Sequence, residues 1–231
     1  MAIYAIGDLH LSGEPAAKPM EVFGPHWQGH KDKIKAQWLN TVSEEDLVLL
    51  CGDTSWAMSL EGAGPDLEWI SQLPGKKLLL RGNHDYWWTS LKKMQAQWGQ
   101  RLGFLQNDAI YLHEGVAICG TRGWLLPSSE VFTPQDQKYY QREALRLELA
   151  LKAARATGAA TIIAALHYPP LFQPEEETLF TQLLESYGVG HCVFAHIHGE
   201  MEVSVYQGQR RGVSYKLVSC DTQGFRLYKI L

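Results

Sequence analysis

Residues 76–85 of the chain read KKLLLRGNHD, a short apolar run that ends in an Asn, a His and an Asp. The apolar part has the length of a buried strand, and the polar residues follow it almost at once. A similar arrangement occurs four more times, after the runs AIYAI at 2–6, DLVLLC at 46–51, TIIAAL at 161–166 and HCVFA at 191–195. These five runs predict the strands of a sheet.

Segments with helical patterns separate several of these runs, and they cover residues 31–41, 87–98, 134–157 and 175–187. The third segment is the clearest, because Thr133 can cap it, Pro134 suits its first turn and Gly158 can end it. After residue 200, alternating apolar residues and glycine-containing turns predict an antiparallel hairpin or meander. The alternation of strands and helices predicts a layered α/β architecture.

Length, composition and charge limit the classes of protein to consider. At 231 residues, with 45% hydrophobic and 20% charged residues, the chain is expected to form one domain over residues 1–231. A formal net charge of −4 disfavours long nucleic acids as partners and suits a small polar substrate. No apolar run approaches the roughly 20 residues that cross a bilayer, and the N-terminus lacks the pattern of a secretory signal. We therefore expect a cytoplasmic protein with no membrane partner, whose oligomeric state the sequence leaves open.

Each predicted strand is followed closely by Asp, Asn or His. The residues are Asp8, His10, Asp53, Asn83, His84, Asp85, His167, His196 and His198. Because ligand sites in open α/β sheets form outside the carboxyl ends of the strands, we expect these side chains to converge. In an extended segment, residues i and i+2 point to the same side, so Asp8 with His10, and His196 with His198, can each face one site.

A CxxC pattern is absent from the sequence, so a metal ion at this site must be bound by oxygen and nitrogen atoms. Without His84 and Asp85 the set contains seven candidate ligands, which is more than one tetrahedral ion uses and favours two ions sharing a carboxylate.

In chain order, the blocks GDLH, CGD, RGNHD, LHYPP and AHIH resemble those of the calcineurin-like metallophosphoesterase superfamily over residues 7–198. The stretches KPMEVFGPHW, GDTSWAM, LRGNHDYWW and CGTRGW are further similar to a bacterial group of predicted phosphohydrolases without an assigned substrate. The resemblance implies a four-layer α/β/β/α sandwich, in which two mixed sheets are flanked by helices. Ala195 stands where the family usually has Gly, which changes backbone freedom but removes no ligand.

The resemblance also implies the ligands of two divalent metal ions. One ion would be bound by Asp8, His10, Asp53 and His198, and the other by Asp53, Asn83, His167 and His196, with Asp53 as the bridge. Carboxylate and imidazole ligands without thiolate suit Mn²⁺, Fe²⁺ or Zn²⁺. The resemblance makes Mn²⁺ the first expectation.

The expected activity is hydrolysis of a small phosphomonoester or phosphodiester, with nucleotides among the candidates, by direct attack of a metal-bridging hydroxide. His84 and Asp85 are the expected catalytic residues. Asp85 can cap the following helix or hold one ring nitrogen of His84. Arg81 can clamp phosphate or pair with a carboxylate. The alternative function is a non-catalytic metal-binding protein-interaction module on the same fold.

Three residues beside these blocks are candidate substrate contacts: Trp56, Arg122 and Trp124. Aromatic rings that stack on a nucleobase would favour nucleotide substrates. The other interpretation is that the aromatic residues pack the loops, and it applies at least as well to Trp87 and Trp88. The remaining histidines, for which surface or packing roles are expected, are His26, His30, His113 and His191.

Overall fold

The computed structural model of the protein describes residues 1–13, 16–112, 115–199 and 204–231, so His113 lies outside the described residues. The chain divides into two compact units, the first made of residues 1–104 and 218–231 and the second of residues 105–217. Each unit has its own sheet and its own cluster of buried apolar side chains. The expectation of one domain over residues 1–231 stays a prediction.

The first unit is built on a five-stranded mixed sheet, with elements numbered along the whole chain. Its strands are β1 (Ile3–Ile6), β2 (Leu47–Cys51), β3 (Lys76–Leu80), β4 (Gly103–Leu105), whose last residue already belongs to the second unit, and β11 (Tyr228–Lys229). Their order in the sheet is β11-β1-β2-β3-β4. The neighbours β1, β2 and β3 run parallel, and β11 runs antiparallel to β1. The loops after β1, β2 and β3 therefore leave the same edge of the sheet.

Among its described residues, the first unit also has three helices and two 3₁₀ turns. The turns cover Met20–Phe23 and Pro25–Trp27, and the helices are α1 (His30–Thr41), α2 (Gly64–Ser71) and α3 (Leu91–Trp98). Helix α3 starts later than the predicted residue 87, because Ser90 is its N-cap and Trp87 and Trp88 are buried in the apolar core before it. Helix α2 was not predicted from the sequence.

The second unit is built on a six-stranded mixed sheet. Its strands are β5 (Ala109–Leu112), β6 (Val116–Thr121), β7 (Thr161–Leu166), β8 (His191–Phe194), β9 (Gly208–Arg210) and β10 (Val213–Leu217). The order is β5-β6-β7-β8-β10-β9, with a parallel centre from β6 to β10 and antiparallel edge strands. Strand β6 is buried along its whole length, as expected for the interior of a sheet covered on both faces.

Helices α4 (Pro134–Ala156) and α5 (Leu179–Ser186) belong to the second unit. Helix α4 agrees with the prediction: Pro134 is its first residue, and Asp136 accepts a 2.8 Å hydrogen bond from the backbone N–H of Thr133. Gly158 follows it with a φ of 73°, a left-handed conformation that glycine adopts without steric cost. Leu147, Leu151 and other buried residues on one face of α4 belong to the apolar core of this unit.

The prediction of an α/β fold with two mixed sheets flanked by helices is confirmed, and each of the five predicted strands is present. The hairpin expected after residue 200 is formed by β9 and β10, whereas the beginning of that segment, residues 201–203, lies outside the described residues. The C-terminal strand β11 does not extend this hairpin and pairs with β1 instead. Among the described helices, none has both the length and the apolar character that a membrane span requires.

Candidate active site

Backbone hydrogen bonds join the loops that follow β1 and β2 in the first unit. The N–H of Asp8 donates to the carbonyl of Gly52, and the N–H of His10 donates to the carbonyl of Asp53, both at 2.9 Å. These bonds extend the pairing of the two parallel strands beyond their ends. The side chains of Asp8, His10 and Asp53 consequently lie in one cluster.

The three side chains of this cluster offer closely spaced ligand atoms. A carboxylate oxygen of Asp8 lies within 4.8 Å of a ligand atom of His10 and of one of Asp53. Nε2 of His10 lies 4.0 Å from Oδ2 of Asp53. All three residues are buried. Because two buried carboxylates at this spacing repel each other unless a cation or a proton compensates them, the donor set fits a divalent metal ion.

Four of the seven predicted ligands have an unusual backbone conformation. Positive φ angles occur at Asp8 (57°), His10 (46°), Asp53 (49°) and His196 (75°), a region that non-glycine residues rarely adopt. The expected alternation along an extended segment is therefore not what aligns Asp8 with His10, since both residues lie in left-handed turns. Backbone strain of this kind gathers at binding sites, where the surrounding structure holds it in place.

The loop after β3 packs against Asp53. The backbone N–H of His84 donates a 2.7 Å hydrogen bond to Oδ1 of Asp53. At Gly82, an added Cβ would overlap with the carboxylate and the backbone nitrogen of Asp53, so only glycine allows this close approach. The loop thereby brings Asn83 and His84 beside the predicted bridging ligand.

Asp85 is completely buried and ties this loop to the loop after β2. Its Oδ1 accepts hydrogen bonds from the backbone N–H groups of Thr54 at 2.9 Å and Ser55 at 3.2 Å, and from Nε1 of Trp87 at 2.8 Å. Its Oδ2 accepts a 2.7 Å hydrogen bond from the N–H of Gly82. A single carboxylate therefore holds the two loops that carry Asp53, Asn83 and His84.

These bonds bear on the two roles expected for Asp85. The N-cap of α3 is Ser90, so the expectation that Asp85 caps this helix is wrong. Its described hydrogen-bond donors do not include the ring of His84. Burial, together with the negative charge of Asp53, raises the pKa of the Asp85 carboxyl to about 7.

Aromatic rings surround His84 in the first unit. The ring of Trp56 stacks on His10 with a centroid distance of 4.7 Å and lies 4.4 Å from the ring of His84. Tyr86 is 53% exposed, and its ring centroid is 6.2 Å from that of His84. Trp56, predicted as a substrate contact, thus borders both a candidate ligand and the predicted catalytic histidine.

The second unit carries the other three predicted ligands. The N–H of His167 donates to the carbonyl of Arg122 at 3.1 Å, and the N–H of Ala195 donates to the carbonyl of His167 at 2.9 Å. These bonds join the loops after β6, β7 and β8. The rings of His167 and His196 lie 5.1 Å apart, and His198 is half-buried. Ala195 does not have a positive φ, so its methyl group is compatible with the loop.

Arg122 and Trp124 form a pair in the second unit. The guanidinium carbon of Arg122 lies 4.5 Å from the ring centroid of Trp124, and Nη2 of Arg122 lies 4.0 Å from Oε1 of Glu143. Nε1 of Trp124 donates a 2.9 Å hydrogen bond to Asp136. The Trp124 ring also contacts Tyr168 with a centroid distance of 5.7 Å. The Trp124 ring therefore packs against the guanidinium of Arg122. A direct substrate contact by either residue stays a prediction.

Arg81 was expected to clamp phosphate or to pair with a carboxylate. Among the described ion pairs and hydrogen bonds, none involves the Arg81 side chain, and its Nε is buried without a hydrogen-bond partner in the described part of the chain. The structure therefore provides no carboxylate partner for Arg81 within those residues.

Trp56 has two further neighbours, Lys18 and Phe23, which were not among the predicted site residues. Nζ of Lys18 lies 3.2 Å from the centroid of the Trp56 ring, and the Phe23 ring stacks at 6.5 Å. No spacing rule identifies these residues, since they precede α1 in a segment without regular periodicity. The density of long apolar and aromatic side chains in KPMEVF was the available signal.

The fold and these ligand clusters agree with comparisons to known proteins. A family described as calcineurin-like phosphoesterase matches residues 1–200. The chain therefore belongs to the calcineurin-like phosphoesterase family. Family membership supports a hydrolase that acts on phosphoric esters, and the Asp and His clusters supply candidate ligands for the metal ions on which this family typically depends.

Individual relatives are distant. The Gene 66 protein of Mycobacterium phage L5 is 33% identical over 78 residues, which is 34% of this chain and 37% of that protein. Among solved structures, TT1561 of Thermus thermophilus has a TM-score of 0.58 at 13% identity, with 98% of this chain and 96% of that chain covered. The protein of unknown function AQ665 from Aquifex aeolicus has a TM-score of 0.55 at 16% identity, covering 99% and 95%. At these identities, the similarity of this chain to the two solved structures shows a common fold and supports no statement about function.

Proposed function

We propose that the protein is a metal-dependent phosphoesterase that hydrolyses a small phosphomonoester or phosphodiester, using two divalent metal ions. The observation that carries this proposal is the buried cluster of Asp8, His10 and Asp53, whose ligand atoms are closely spaced and whose backbone is left-handed. Membership in the calcineurin-like phosphoesterase family supports the type of reaction.

The proposed metal ligands are the seven residues that the sequence blocks contain. They are Asp8, His10, Asp53, Asn83, His167, His196 and His198. Carboxylate, amide and imidazole donors suit Mn²⁺, our first choice, as well as Fe²⁺ and Zn²⁺. When bound, two such ions supply a hydroxide nucleophile at neutral pH and neutralise the phosphoryl oxygens.

The protein's own side chains orient the reaction. His84, held through its backbone by Asp53, is proposed to donate a proton to the departing oxygen or to stabilise the charge of the phosphoryl group. Asp85 is proposed to be a positioning residue, because its hydrogen bonds fix the two loops that carry Asp53 and His84. The guanidinium of Arg81, which lacks a described carboxylate partner, is proposed to contact the phosphoryl group.

The proposed substrate is small and phosphorylated, with Trp56, Arg122 and Trp124 as candidate contacts. A net charge of −4 supports this choice over long nucleic acids. A cytoplasmic location is also proposed, and it is supported by the four buried cysteine thiols, which are typical of proteins from reducing compartments.

The test is hydrolysis by purified protein, metal-free or supplied with Mn²⁺, of chromogenic mono- and diesters followed by a panel of phosphorylated metabolites. The proposal expects ester cleavage that depends on added metal and that Asp8→Asn removes. Stoichiometric metal binding without cleavage of any ester would overturn it in favour of the non-catalytic interaction module.

A further inference from the structure

The segment between β1 and α1 places three side chains against Trp56. Nε1 of Trp56 donates a 3.3 Å hydrogen bond to Sδ of Met20, which is buried. Nζ of Lys18 lies over the Trp56 ring, and the Phe23 ring lies 6.5 Å away at an interplanar angle of only 12°. The hydroxyl of Ser12 donates a 3.0 Å hydrogen bond to the carbonyl of Lys18 and fixes its backbone. The Trp56 ring therefore has a defined orientation, with a second aromatic ring nearly parallel to it.

We call the space between Phe23 and Trp56 the aromatic slot. The Lys18 ammonium occupies it, with Nζ 3.2 Å from the Trp56 centroid and 5.1 Å from the Phe23 centroid. A planar ring that replaces the ammonium over Trp56 needs a contact layer of about 3.5 Å, close to the 3.2 Å at which Nζ lies. Phe23 is 53% exposed and ends a four-residue 3₁₀ turn, so a small outward movement of its ring makes room.

The aromatic slot lies beside the residues that carry the proposed chemistry. Trp56 forms one wall of the slot and also contacts the rings of His10 and His84. Phe23 is 53% exposed, so its ring is open to solvent beside Trp56. A group bound in the slot is thus close enough to belong to the same molecule as a phosphoryl group at His84.

We propose that the aromatic slot binds a planar ring of the substrate and that the ammonium of Lys18 then leaves the ring faces to pair with the substrate's phosphate. This inference rests on the proposed function, because it names the class of phosphoester that the same site accepts. That class comprises esters whose phosphate is carried on or near a planar ring, as in nucleotides and aryl phosphates. Stacking supplies the selectivity against sugar phosphates, which lack a planar face.

The first test measures binding of adenosine, an uncharged nucleoside that carries the ring without the phosphate. Its affinity is compared by NMR titration among wild type, Phe23→Leu and the control Val22→Ala, which alters an exposed residue of the same 3₁₀ turn. Phe23→Leu is expected to weaken adenosine binding about fivefold or more, and Val22→Ala is expected to leave it unchanged. Equal affinity in wild type and Phe23→Leu would overturn the inference. Adenosine is not hydrolysed, so this result is independent of whether the protein is a phosphoesterase.

Lys18→Ala tests the displacement of the ammonium. Without a competing cation on the Trp56 face, adenosine should bind about twofold to fivefold more tightly. Unchanged or weaker binding would overturn this part of the inference.

Kinetics with Mn²⁺ then identify the source of the ring. The ratio of kcat/KM for AMP, and for phenyl phosphate, to that for glucose 6-phosphate should fall in Phe23→Leu but not in Val22→Ala. A larger fall for AMP identifies a nucleobase, and a larger fall for phenyl phosphate identifies a small aryl group. An unchanged ratio for both esters excludes the slot as a substrate site, whereas absence of all hydrolysis in wild type contradicts the proposed function instead.

Discussion

The backbone N–H of His84 donates its hydrogen bond to Oδ1 of Asp53, so the predicted catalytic residue and the predicted bridging ligand are held in one geometry. We therefore expect a change at Asp53 to disturb both metal binding and the position of His84. A change confined to the His84 side chain leaves that backbone bond in place. Metal content and turnover together can therefore separate the roles of the two residues.

For Asp53→Asn, we expect loss of most activity and weaker binding of both metal ions. An amide is neutral and offers one oxygen instead of two, so it cannot bridge two cations as a carboxylate does. Metal analysis after dialysis gives the stoichiometry. Two tightly bound equivalents with wild-type turnover would exclude a bridging role for Asp53.

For His84→Ala, we expect retention of metal with a large loss of rate. General acid or base assistance by a positioned side chain contributes about 10²–10⁴-fold. Turnover at saturating substrate and metal content are measured on the same preparation. A variant within about twofold of the wild-type kcat would refute a catalytic role for this ring.

For Asp85→Asn, we expect a less stable protein. The Asp85 carboxylate accepts four hydrogen bonds, and an amide that replaces one acceptor with a donor group leaves at least one buried N–H without a partner, at a cost of about 1–3 kcal/mol. Chemical denaturation measures the change. Asp32→Asn, at an exposed aspartate in the first turn of α1, is the control and should shift stability by less than about 1 kcal/mol, because it loses only the favourable interaction of a charge with the helix dipole. Equal stability of the two variants would contradict the conclusion that Asp85 holds the two loops together.

Much of the fold could be predicted from the sequence, because buried parallel strands leave a strong signal. The five apolar runs and helix α4, with its cap residue Thr133 and its terminal Gly158, lie close to their expected positions. Helix α2 and strands β4, β5 and β6 were missed. Helix α2 and strands β4 and β5 are short, whereas β6 is fully buried but has no Asp, Asn or His directly after it. The start of α3 was placed too early because burial of Trp87 and Trp88 overrides local helix propensity.

The residues of the site could be predicted from the sequence, but their backbone conformation and their contacts could not. The polar residues that follow each strand could be named, since strand ends of a parallel sheet share one edge. Their left-handed backbone could not, because φ at Asp8 and Asp53 depends on hydrogen bonds between loops distant in sequence. The contacts of Lys18 and Phe23 with Trp56 arise in the same way from tertiary packing.

For Trp124, we expect a positioning effect that differs from that of the aromatic slot. Trp124→Ala removes the ring under the Arg122 guanidinium, so kcat/KM should fall by a similar factor for nucleotide esters and sugar phosphates. Trp124→Phe keeps a ring beneath Arg122 and should retain most of the activity. A selective loss for nucleotide esters in Trp124→Ala would instead indicate that this ring contacts the substrate.

For His30, we expect a measurable effect on the pH dependence of stability. Nε2 of this histidine lies 3.1 Å from the carbonyl oxygen of Leu9, to which the neutral ring donates, and burial lowers its pKa below the ordinary value of 6.5. The unfolded chain therefore takes up a proton at a higher pH than the folded protein does. The contribution of His30 to the free energy of unfolding is complete above pH 6.5 and declines as the pH falls towards the lowered pKa. His30→Gln keeps a donor for Leu9 but does not titrate, so its stability should decline less than that of wild type between about pH 7 and pH 5. Denaturant unfolding across this range gives the free energy of unfolding of both proteins as a function of pH. The difference between the two proteins near pH 7 measures the effect of the substitution that does not depend on protonation. Parallel curves over the whole range would show that the neutral form of His30 is not preferred in the folded protein.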